Sequence, residues 1–392
     1  MPASDASHYH TIVIGVGSMG SAACFHLSQR NQKVLGLEQF ISPHEKGAHG
    51  AHTRIIRKAY FEHPDYVPLL EKAYANWHLI EQLSGEQLYV PTGLLYAGPP
   101  GNDLLQRIRE AAQQYQIQLE QWDSAKLQQR FPQFTLPANS EILFEPEAGF
   151  LYPDKAIEVM IALSIRAGAT IRQQCQVLSW EANSEGVRVT TADATFTADK
   201  LIITAGPWAG NLIPGAQQHL QITQQTLAWF TPPTDMPQNA QQFPCWLIAE
   251  EGVPGAYYGF PALQNHGPNG WKIAHHHAGK PTHPDETNRT IDEKELATLG
   301  KFMQQYLGVA NDALIGTKTC LYSNSPDEHF VIDLLPGNHQ RVSVAWGFSG
   351  HGFKFTSVVG EILADLSMYG KSPLPAQFLQ ADRLSAFDQK TN

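Results

Sequence analysis

The sequence has 392 residues, of which 42% are hydrophobic and 16% are charged, so it can bury a sizeable core and is long enough for two domains. Its formal net charge of -10, with a pI near 5.9, argues against nucleic acid or an anionic membrane as the main partner, because a negative field repels polyanions. The start of the chain is polar, and no run approaches the roughly 18 apolar residues of a membrane helix. We therefore expect a cytoplasmic protein with no membrane partner, in which any anionic ligand needs a local basic pocket.

The first elements form a strand, turn and helix pattern. Residues 10–14 are mainly apolar, a glycine-rich turn covers residues 15–20, and apolar residues then recur at helical spacing. A second apolar stretch, residues 33–37, ends in Glu38. This order predicts a βαβ unit with an acidic residue at the end of its second strand.

The turn has the G-x-G-x-x-G spacing of a dinucleotide site. Gly15 permits a tight turn, Gly17 lets the backbone approach a pyrophosphate, and Gly20 allows close packing of helix and strand. The helix N-terminus offers N–H groups to phosphates, and Glu38 is expected to accept hydrogen bonds from a ribose, which disfavours NADP. The motif does not separate FAD from NAD. The candidate dinucleotide residues are Gly15, Gly17, Ser18, Met19, Gly20 and Glu38.

The next part of the chain alternates helix and strand patterns. Residues 66–83 predict a long amphipathic helix, and residues 88–97 predict a strand. Asn102 is predicted to cap one further helix and Asp154 another. Strands follow over residues 187–204, which return the chain to the nucleotide domain.

The last third begins with a segment that is rich in aromatic residues and proline. Residues 221–320 show few long helical patterns, as expected of a sheet-based substrate domain, and residues 325–368 again predict strand, glycine-rich turn and helix. The fold class is therefore α/β (α+β), a Rossmann-type domain interleaved with a mixed-sheet substrate domain. The predicted nucleotide domain comprises residues 1–90, 150–220 and 321–392. The predicted substrate domain comprises residues 91–149 and 221–320.

Cysteines and histidines give no metal-binding pattern. Neighbours on a strand point to opposite faces, so only His275 and His277 of the triplet at 275–277 could share an ion, and no third ligand is evident. The cysteines are widely spread without metal-ligand spacing and are read as lone thiols. They are Cys24, Cys175, Cys245 and Cys320.

Several segments together carry a resemblance to one family. They are TRIIR at 53–57, YYGFP at 257–261, the segment around Lys272, CLY at 320–322, PDEHF at 326–330 and GFSGHGFKF at 347–355. Through these segments the chain resembles the monomeric sarcosine oxidases and N-methyltryptophan oxidases, flavoproteins of the glycine and D-amino-acid oxidase superfamily. The resemblance extends over essentially the whole chain.

The resemblance implies FAD as the cofactor, bonded covalently through Cys320 to the 8α-methyl group of the flavin, in an enzyme expected to be a monomer. From the residues alone, a lone cysteine is more often a buried apolar residue. Further cofactor contacts are expected from Thr53, Arg54, Val177, Gly206, Gly350, Gly352, Phe353 and Lys354.

The glycine-rich stretch at 347–354 also has a physical interpretation. Its glycines precede an apolar helix predicted at 353–368, which would direct N–H groups and a positive dipole end at a ligand. Such an end would favour the negative charge that reduced flavin gathers around N1 and the C2 carbonyl. A second phosphate-binding loop is the alternative.

The resemblance also implies an active site. Arg57 and Lys354 resemble a pair that binds the substrate carboxylate, although Arg54, Arg57 and Lys58 could equally form a solvated surface face. Lys272 resembles the lysine that promotes oxygen reduction, which favours an oxidase over a dehydrogenase; a surface lysine at a strand end is the alternative. The expected catalytic residues are Lys272, Arg54, Tyr258, His276 and His351, and the expected substrate contacts are Arg57, Lys354, Tyr258 and Tyr322.

The expected function is oxidation by FAD and O₂ of a small secondary amine that carries a carboxylate, such as an N-methyl amino acid. The products would be formaldehyde, the primary amino acid and hydrogen peroxide. The chain departs from the family pattern at several positions, which leaves the side chain of the substrate open. They are Ala48, Ala51, His52, Lys58, Phe61 and Glu62. Two alternatives remain, an oxidase or dehydrogenase of a cyclic amino acid such as pipecolate or proline, and a non-catalytic flavin-binding module.

Overall fold

The computed structural model of the protein describes residues 3–233, 239–264, 266–276, 279–286, 289–310 and 312–385. Within these ranges, no helix combines the length and the apolar character that spanning a bilayer requires. The α-helices are α1 (Ser18–Gln29), α2 (Val67–Ser84), α3 (Asp103–Gln114), α4 (Ser124–Arg130), α5 (Pro153–Arg166), α6 (Ala209–Leu212), α7 (Glu293–Leu307) and α8 (Thr356–Tyr369).

The strands are β1 (Ala3–Ile14), β2 (Val34–Leu37), β3 (Arg54–Ile56), β4 (Tyr89–Val90), β5 (Leu94–Gly98), β6 (Glu120–Trp122), β7 (Glu141–Glu145), β8 (Gly149–Leu151), β9 (Thr170–Arg172), β10 (Val177–Ala182), β11 (Val187–Thr191), β12 (Ala194–Ile203), β13 (Gln221–Phe230), β14 (Cys245–Ile248), β15 (Ala256–Phe260), β16 (Trp271–His276), β17 (Lys280–Pro281), β18 (Leu314–Asn324), β19 (Val331–Leu334) and β20 (Val342–Trp346).

The first sheet has the order β10-β11-β12-β1-β2-β9, with β20 also paired to β12 and β19 paired to β20. β1 runs parallel to both β2 and β12, and β12 runs parallel to β20. Helices α1, α5 and α8 pack together against one face of this sheet. The predicted βαβ unit is therefore present, with α1 crossing from β1 to β2.

Apolar residues fill both faces of this sheet. Ile12 and Val13 are completely buried on opposite sides of β1, where they belong to separate core clusters. Burying a side chain of this size stabilises the fold by about 1.5 to 3 kcal/mol. Two-sided burial explains why strands of the parallel core read as continuous apolar runs rather than as alternating ones.

The second sheet has the order β17-β13-β16-β15-β14-β5-β7-β6, with β18 also paired to β13. Most of its pairs are antiparallel, whereas β5 and β14 are parallel, so the sheet is mixed as predicted. A third, small sheet has the order β3-β8-β4. The predicted domain boundaries remain a proposal, and β18 crosses the one drawn between residues 320 and 321.

Two local predictions were wrong. Residues 88–97 form two strands in different sheets, because Gly93 at a φ of +73° turns the chain between β4 and β5. Asp154 does not cap α5; Tyr152 is the N-cap and Pro153 occupies the first helical position, which suits the fixed φ of proline. The predominantly sheet-forming segment 221–320 contains a 15-residue helix, α7, whose N-cap is Asp292. Asn102, by contrast, caps α3 as predicted, accepting hydrogen bonds from the backbone of Leu104 and Leu105.

Candidate active site

The carboxyl ends of four parallel strands meet at one edge of the first sheet. Gly15 follows β1, Glu38 follows β2, Thr204 follows β12 and Gly347 follows β20. Open parallel sheets bind ligands at this edge. A cleft of about 310 Å³ lies here and is lined by all four residues.

Most of the predicted cofactor residues line this cleft. They are Gly15, Gly17, Ser18, Met19, Glu38, Arg54, Val177, Gly206, Gly350, Gly352 and Phe353. Gly20, Thr53, Cys320 and Lys354 do not line it, and each has a separate position described below. The turn at 15–20 and the stretch at 347–354 thus border one continuous space, although they are more than 300 residues apart in sequence.

Gly20 lies behind the cleft, where it sets the packing of α1 on β1. A Cβ atom at this position would lie 1.8 Å from the Gly15 carbonyl oxygen and 2.7 Å from the Thr204 hydroxyl oxygen. Real Cβ atoms do not approach backbone oxygens so closely, so only glycine fits. Gly20 therefore shapes the site without facing its ligand.

Glu38 bonds to the protein as well as lining the cleft. Its Oε2 accepts a hydrogen bond of 2.8 Å from the Val16 backbone N–H, and its Oε1 accepts one of 3.0 Å from Phe40 and lies 3.3 Å from His44 Nε2. Burial alone would raise its pKa, but the hydrogen bonds from His44 and the backbone lower the pKa of Glu38. The ribose contact remains a prediction, and the carboxylate also fixes the glycine-rich turn.

Cys320 is buried on β18 at the edge of the cleft. Its Sγ lies 3.1 Å from Arg54 Nη2 and 3.6 Å from the Ala48 carbonyl oxygen. The neighbouring residues Leu321 and Tyr322 line the cleft itself. The sulfur therefore lies beside a guanidinium, which would stabilise negative charge on it.

A second, smaller cavity of about 60 Å³ adjoins the cleft, with which it shares Arg54, Tyr322, Gly350 and Phe353. It gathers the predicted active-site residues with one exception, Lys272. The residues lining it are Arg54, Ile55, Arg57, Phe61, Glu62, Leu247, Tyr258, His276, Tyr322, Gly350, His351, Phe353 and Lys354.

Gly350 joins the two spaces. It has a φ of +77°, and a Cβ atom there would lie 2.2 Å from the ring of Tyr322. The Tyr322 ring therefore packs directly on the backbone of the glycine-rich stretch, an approach that only glycine permits. Tyr322 thus borders both the cleft and the cavity.

Arg57 is buried in the cavity and bound to Glu62. Its Nη2 donates to both carboxylate oxygens at 2.7 Å, and its Nη1 donates to the Ala59 carbonyl oxygen at 2.9 Å. Although burial opposes it, the charge of Arg57 lowers the pKa of Glu62, with smaller effects from His351 and Lys354. The guanidinium predicted to bind a substrate carboxylate is thus paired with a carboxylate of the protein.

Lys354 is the second cation of the predicted pair. It is 6% exposed, and its Nζ donates to the His351 carbonyl oxygen at 2.8 Å. Burial, reinforced by the charge of Arg57, lowers the pKa of Lys354 to about 7. An anion that enters the cavity would therefore favour the protonated form.

Hydrogen bonds hold the imidazole ring of His351 in one neutral tautomer. Its Nδ1 lies 2.5 Å from the Tyr60 hydroxyl, and its Nε2 lies 2.9 Å from the Glu328 carbonyl oxygen, which can only accept. This assigns the proton to Nε2 and leaves Nδ1 to accept from Tyr60. Burial lowers the pKa of His351 to about 4, so the ring is uncharged near neutral pH.

Tyr258, Tyr322 and His276 lie together in the lining of the cavity. The Tyr322 hydroxyl lies 3.4 Å from His276 Nδ1 and interacts with the Tyr258 hydroxyl. Burial raises the pKa of both tyrosines, so both stay protonated near neutral pH. This part of the lining combines aromatic surface with two tyrosine hydroxyls that stay uncharged.

Lys272 lines neither the cleft nor the cavity and contacts the residues that precede β3. Its Nζ donates to the Ala51 and Thr53 carbonyl oxygens at 3.0 Å each and to the Thr53 hydroxyl, and it faces the Phe260 ring at 3.9 Å. Burial, reinforced by Arg54, lowers the pKa of Lys272 well below its usual range. It is a buried residue rather than a strand-end surface lysine, and Thr53 bonds to it instead of lining the cleft.

Two members of the histidine triplet point to different surroundings. His276 lines the cavity, whereas the Nε2 of His275 lies 2.9 Å from the Pro254 carbonyl oxygen. His277 lies outside the described residues. In the part of the chain that the structure describes, no three histidine, cysteine, aspartate or glutamate side chains form a group that could hold a metal ion.

Comparison with known proteins identifies the family. The sequence profile of the FAD-dependent oxidoreductases matches residues 10–366. The chain is 37% identical over 382 residues to the monomeric sarcosine oxidase of Streptomyces avermitilis, which covers 96% of this chain and 98% of that protein. It is 35% identical over 370 residues to the N-methyl-L-tryptophan oxidase of Yersinia pestis, which covers 93% of this chain and 96% of that protein.

The chain belongs to the monomeric sarcosine oxidase and N-methyltryptophan oxidase family of FAD-dependent oxidoreductases. The structure of NikD, described as an unusual amino acid oxidase essential for nikkomycin biosynthesis, has the same fold, with a TM-score of 0.82 at 22% sequence identity over 95% of this chain and 97% of that one. The predicted fold class and family resemblance are confirmed.

The cleft of this FAD-dependent oxidoreductase suits the family's cofactor. His44 Nδ1 and His49 Nε2 are buried beside the glycine-rich turn and have no hydrogen-bond partner among the described residues. Buried polar atoms without a partner are costly, and a polar ligand in the cleft would satisfy them. Gly17 is the N-cap residue of α1 and has no side chain to bond to the first turn, which leaves N–H groups for phosphates.

Sequence reasoning did not single out Tyr60 or Glu145 in this family member, and it noted Phe61 and Glu62 only as departures from the family pattern. Tyr60, Phe61 and Glu62 lie in the irregular segment between β3 and α2, where no periodicity indicates which side chains turn inward. Glu145 is fully buried and accepts from the Lys58 N–H at 2.6 Å and from the Tyr96 hydroxyl at 2.6 Å. It anchors this segment from a strand far away in sequence, so no local pattern could reveal it.

Proposed function

We propose that this enzyme holds FAD covalently through Cys320 and oxidises a small secondary amine that carries a carboxylate, with O₂ as the electron acceptor. Imine hydrolysis then gives formaldehyde and the primary amino acid when the substrate is an N-methyl amino acid. The relatives named monomeric sarcosine oxidase and N-methyl-L-tryptophan oxidase support this substrate class. Because the first of these relatives is described as monomeric, we also propose that this enzyme is a monomer.

The charge of the 60 Å³ cavity carries the proposal. Arg54, Arg57 and Lys354 line it, and Glu62 is the one carboxylate among its lining residues in the described part of the chain. The cavity therefore has an excess of positive charge inside a protein of net charge -10. An anionic group would offset part of that excess, which favours a carboxylate-bearing substrate.

Cys320 supports covalent attachment through its position. Its sulfur lies 3.1 Å from Arg54 Nη2, while its chain neighbours Leu321 and Tyr322 line the cleft that suits FAD. Cys24 and Cys245 are completely buried in hydrophobic clusters, where burial raises the pKa of each thiol to about 12. Cys320, whose chain neighbours line the cleft, is better placed than those two thiols to reach a flavin there.

When bound, FAD supplies a two-electron acceptor that O₂ can re-oxidise to give hydrogen peroxide. The chain's own residues orient the substrate. Lys354 and Arg57 bind the carboxylate, and Arg57 gives up part of its pairing with Glu62 to do so. Each charge-assisted hydrogen bond contributes about 1.5 to 3 kcal/mol. Tyr258 and Tyr322 enclose the amine and exclude water.

Proton handling follows from the same charges. The cations Arg54 and Arg57 disfavour a substrate ammonium, so the amine releases its proton to solvent and binds in the cavity uncharged. His351 does not act as a strong base, because its pKa is about 4 and both ring nitrogens are engaged. Two electrons can then leave the carbon next to the nitrogen without a dedicated protein base.

Lys272 is proposed to assist oxygen reduction. An ammonium in a dry region stabilises negative charge that develops on oxygen. Three acceptors, two backbone carbonyls and the Thr53 hydroxyl, hold Nζ and favour its protonated form, which offsets part of the effect of burial. Its neighbour Arg54 links this position to both the cleft and the cavity.

Anaerobic reduction of the purified flavoprotein tests the proposal. We expect sarcosine or another N-methyl amino acid to bleach the flavin absorbance, and air to restore it with release of hydrogen peroxide and formaldehyde. Faster bleaching by proline or pipecolate would instead indicate an oxidase of cyclic amino acids. Flavin that no amine bleaches would indicate a non-catalytic binding module and contradict the proposal.

A further inference from the structure

Phe61 is an apolar side chain at the boundary of the small cavity. It lies in the irregular segment 57–63 and lines the cavity together with Ile55 and Leu247. Its ring is partly buried against the cluster that contains Tyr96 and Phe150. The apolar part of the cavity lining is therefore built from this ring, the Phe353 ring and two aliphatic side chains.

Contacts with Arg57 fix the position of the Phe61 ring. The Arg57 guanidinium carbon lies 4.0 Å from the centroid of Phe61 and 4.2 Å from that of Tyr60. The two rings are nearly parallel, with an interplanar angle of 15° and centroids 6.4 Å apart. Since Arg57 is also bound to Glu62, the Phe61 ring packs on a side chain that is itself held in place.

The volume left by these side chains is small. A buried water needs about 10 to 15 Å³, so a cavity of about 60 Å³ has room for on the order of five water-sized groups. That space suits a carboxylate, an amine and a methyl group. It does not accommodate an additional aromatic side chain unless a lining residue moves or is removed.

We propose that Phe61 is a specificity-determining residue that limits the enzyme to N-methyl amino acids with small side chains, such as those derived from glycine or alanine. This inference rests on the proposed function, and it names the residue that limits the size of the substrate side chain.

Phe61 is the lining residue best placed to set this size. Ile55 lies on β3 and pairs with Phe150, and Leu247 lies on β14 and pairs with Tyr258, so both are held in strand ladders. Phe353 belongs to a short 3-10 helix, Phe353–Phe355, whereas Phe61 belongs to no strand or helix. Truncating it enlarges the cavity without removing a residue from a sheet.

The test compares Phe61→Leu and Phe61→Ala with the wild-type holoenzyme. For each protein, kcat/KM is measured for sarcosine and for N-methyl-L-tryptophan. We expect the ratio of kcat/KM for N-methyl-L-tryptophan to kcat/KM for sarcosine to rise about tenfold or more in Phe61→Ala. The rise should be smaller in Phe61→Leu, because that substitution removes less volume. Phe378→Ala is the control, because Phe378 stacks on His63 of the same segment at 5.9 Å but lines neither cavity.

Two outcomes would overturn the inference. One is an equal loss of kcat/KM for both substrates in Phe61→Ala, which would mean that Phe61 only supports Arg57. The other is a wild-type enzyme that already favours the bulky substrate.

Dissociation constants for acetate and indole-3-acetate, followed by flavin absorbance, provide a measurement that needs no turnover. If no amine reduces the flavin, the proposed function is wrong. The affinity ratio of these two acids in wild-type and Phe61→Ala protein then still decides whether Phe61 limits the size of a bound carboxylate. An unchanged ratio would overturn that role.

Discussion

Lys354 offers the sharpest prediction, because its charge is expected to change near neutral pH. Its pKa is about 7 in the protein without ligand, and a carboxylate bound nearby would raise it. Carboxylate binding is therefore coupled to protonation of Lys354. Affinity should be highest and constant below about pH 7 and should fall above it, by up to about tenfold per pH unit.

Replacing Lys354 by methionine removes both the charge and this coupling. One charge-assisted hydrogen bond contributes about 1.5 to 3 kcal/mol, so the variant should bind acetate roughly tenfold to a hundredfold more weakly at pH 6. The deficit should shrink toward pH 9, where wild-type Lys354 has lost its proton. Neighbouring groups do not mimic this profile, since the pKa of Glu62 is lowered and that of His351 is about 4.

The assay is titration of the holoenzyme with acetate, followed by flavin absorbance, between pH 6 and pH 9. Acetate stays ionised throughout this range and carries no amine, so its own titration does not contribute. Lys371→Met is the matched control, because Lys371 is exposed and lies outside both cavities. If the Lys354→Met dissociation constant followed the wild-type curve in parallel over the whole range, Lys354 would not be the group that binds the carboxylate.

Two further predictions concern the cofactor and oxygen. In Cys320→Ser, acid precipitation should release the flavin into the supernatant, whereas wild-type protein should keep it in the pellet; flavin released equally from both would exclude the thioether. In Lys272→Met, re-oxidation of reduced enzyme by air should slow by about a hundredfold or more, while anaerobic reduction changes only a few-fold. Stopped-flow absorbance separates the two half-reactions, and unchanged re-oxidation would remove Lys272 from its proposed role.

Local sequence rules predicted the nucleotide-binding part of the fold well. The spacing of Gly15, Gly17 and Gly20 between two apolar stretches is a local pattern, and the structure contains the expected strand, turn and helix there. Asn102 caps α3 for a similarly local reason, since its side chain bonds to N–H groups two and three residues later. Such features depend on neighbours in sequence, which a single chain displays directly.

Features that depend on distant parts of the chain were not predictable. The pairing of Arg57 with Glu62 arises in an irregular segment whose backbone is held by Glu145, 87 residues from Lys58. The position of Lys272 outside the cleft and the cavity likewise depends on a hydrogen bond to the backbone carbonyl of Ala51, which is far away in sequence. The position of helix α7 could not be predicted, because its apolar residues lie within an aromatic and proline-rich segment whose other elements are mainly strands.

The paired cations of the small cavity are tested most directly by two amines that differ only in the carboxylate. The measurement is the anaerobic rate of flavin reduction by sarcosine and by dimethylamine, in wild-type protein at pH 7. The proposed mechanism predicts rapid bleaching by sarcosine and, at equal concentration, bleaching by dimethylamine that is slower by about a hundredfold or more, because two charge-assisted contacts are lost. Equal rates for the two amines would show that Arg57 and Lys354 do not hold the substrate, and would contradict the proposed mechanism.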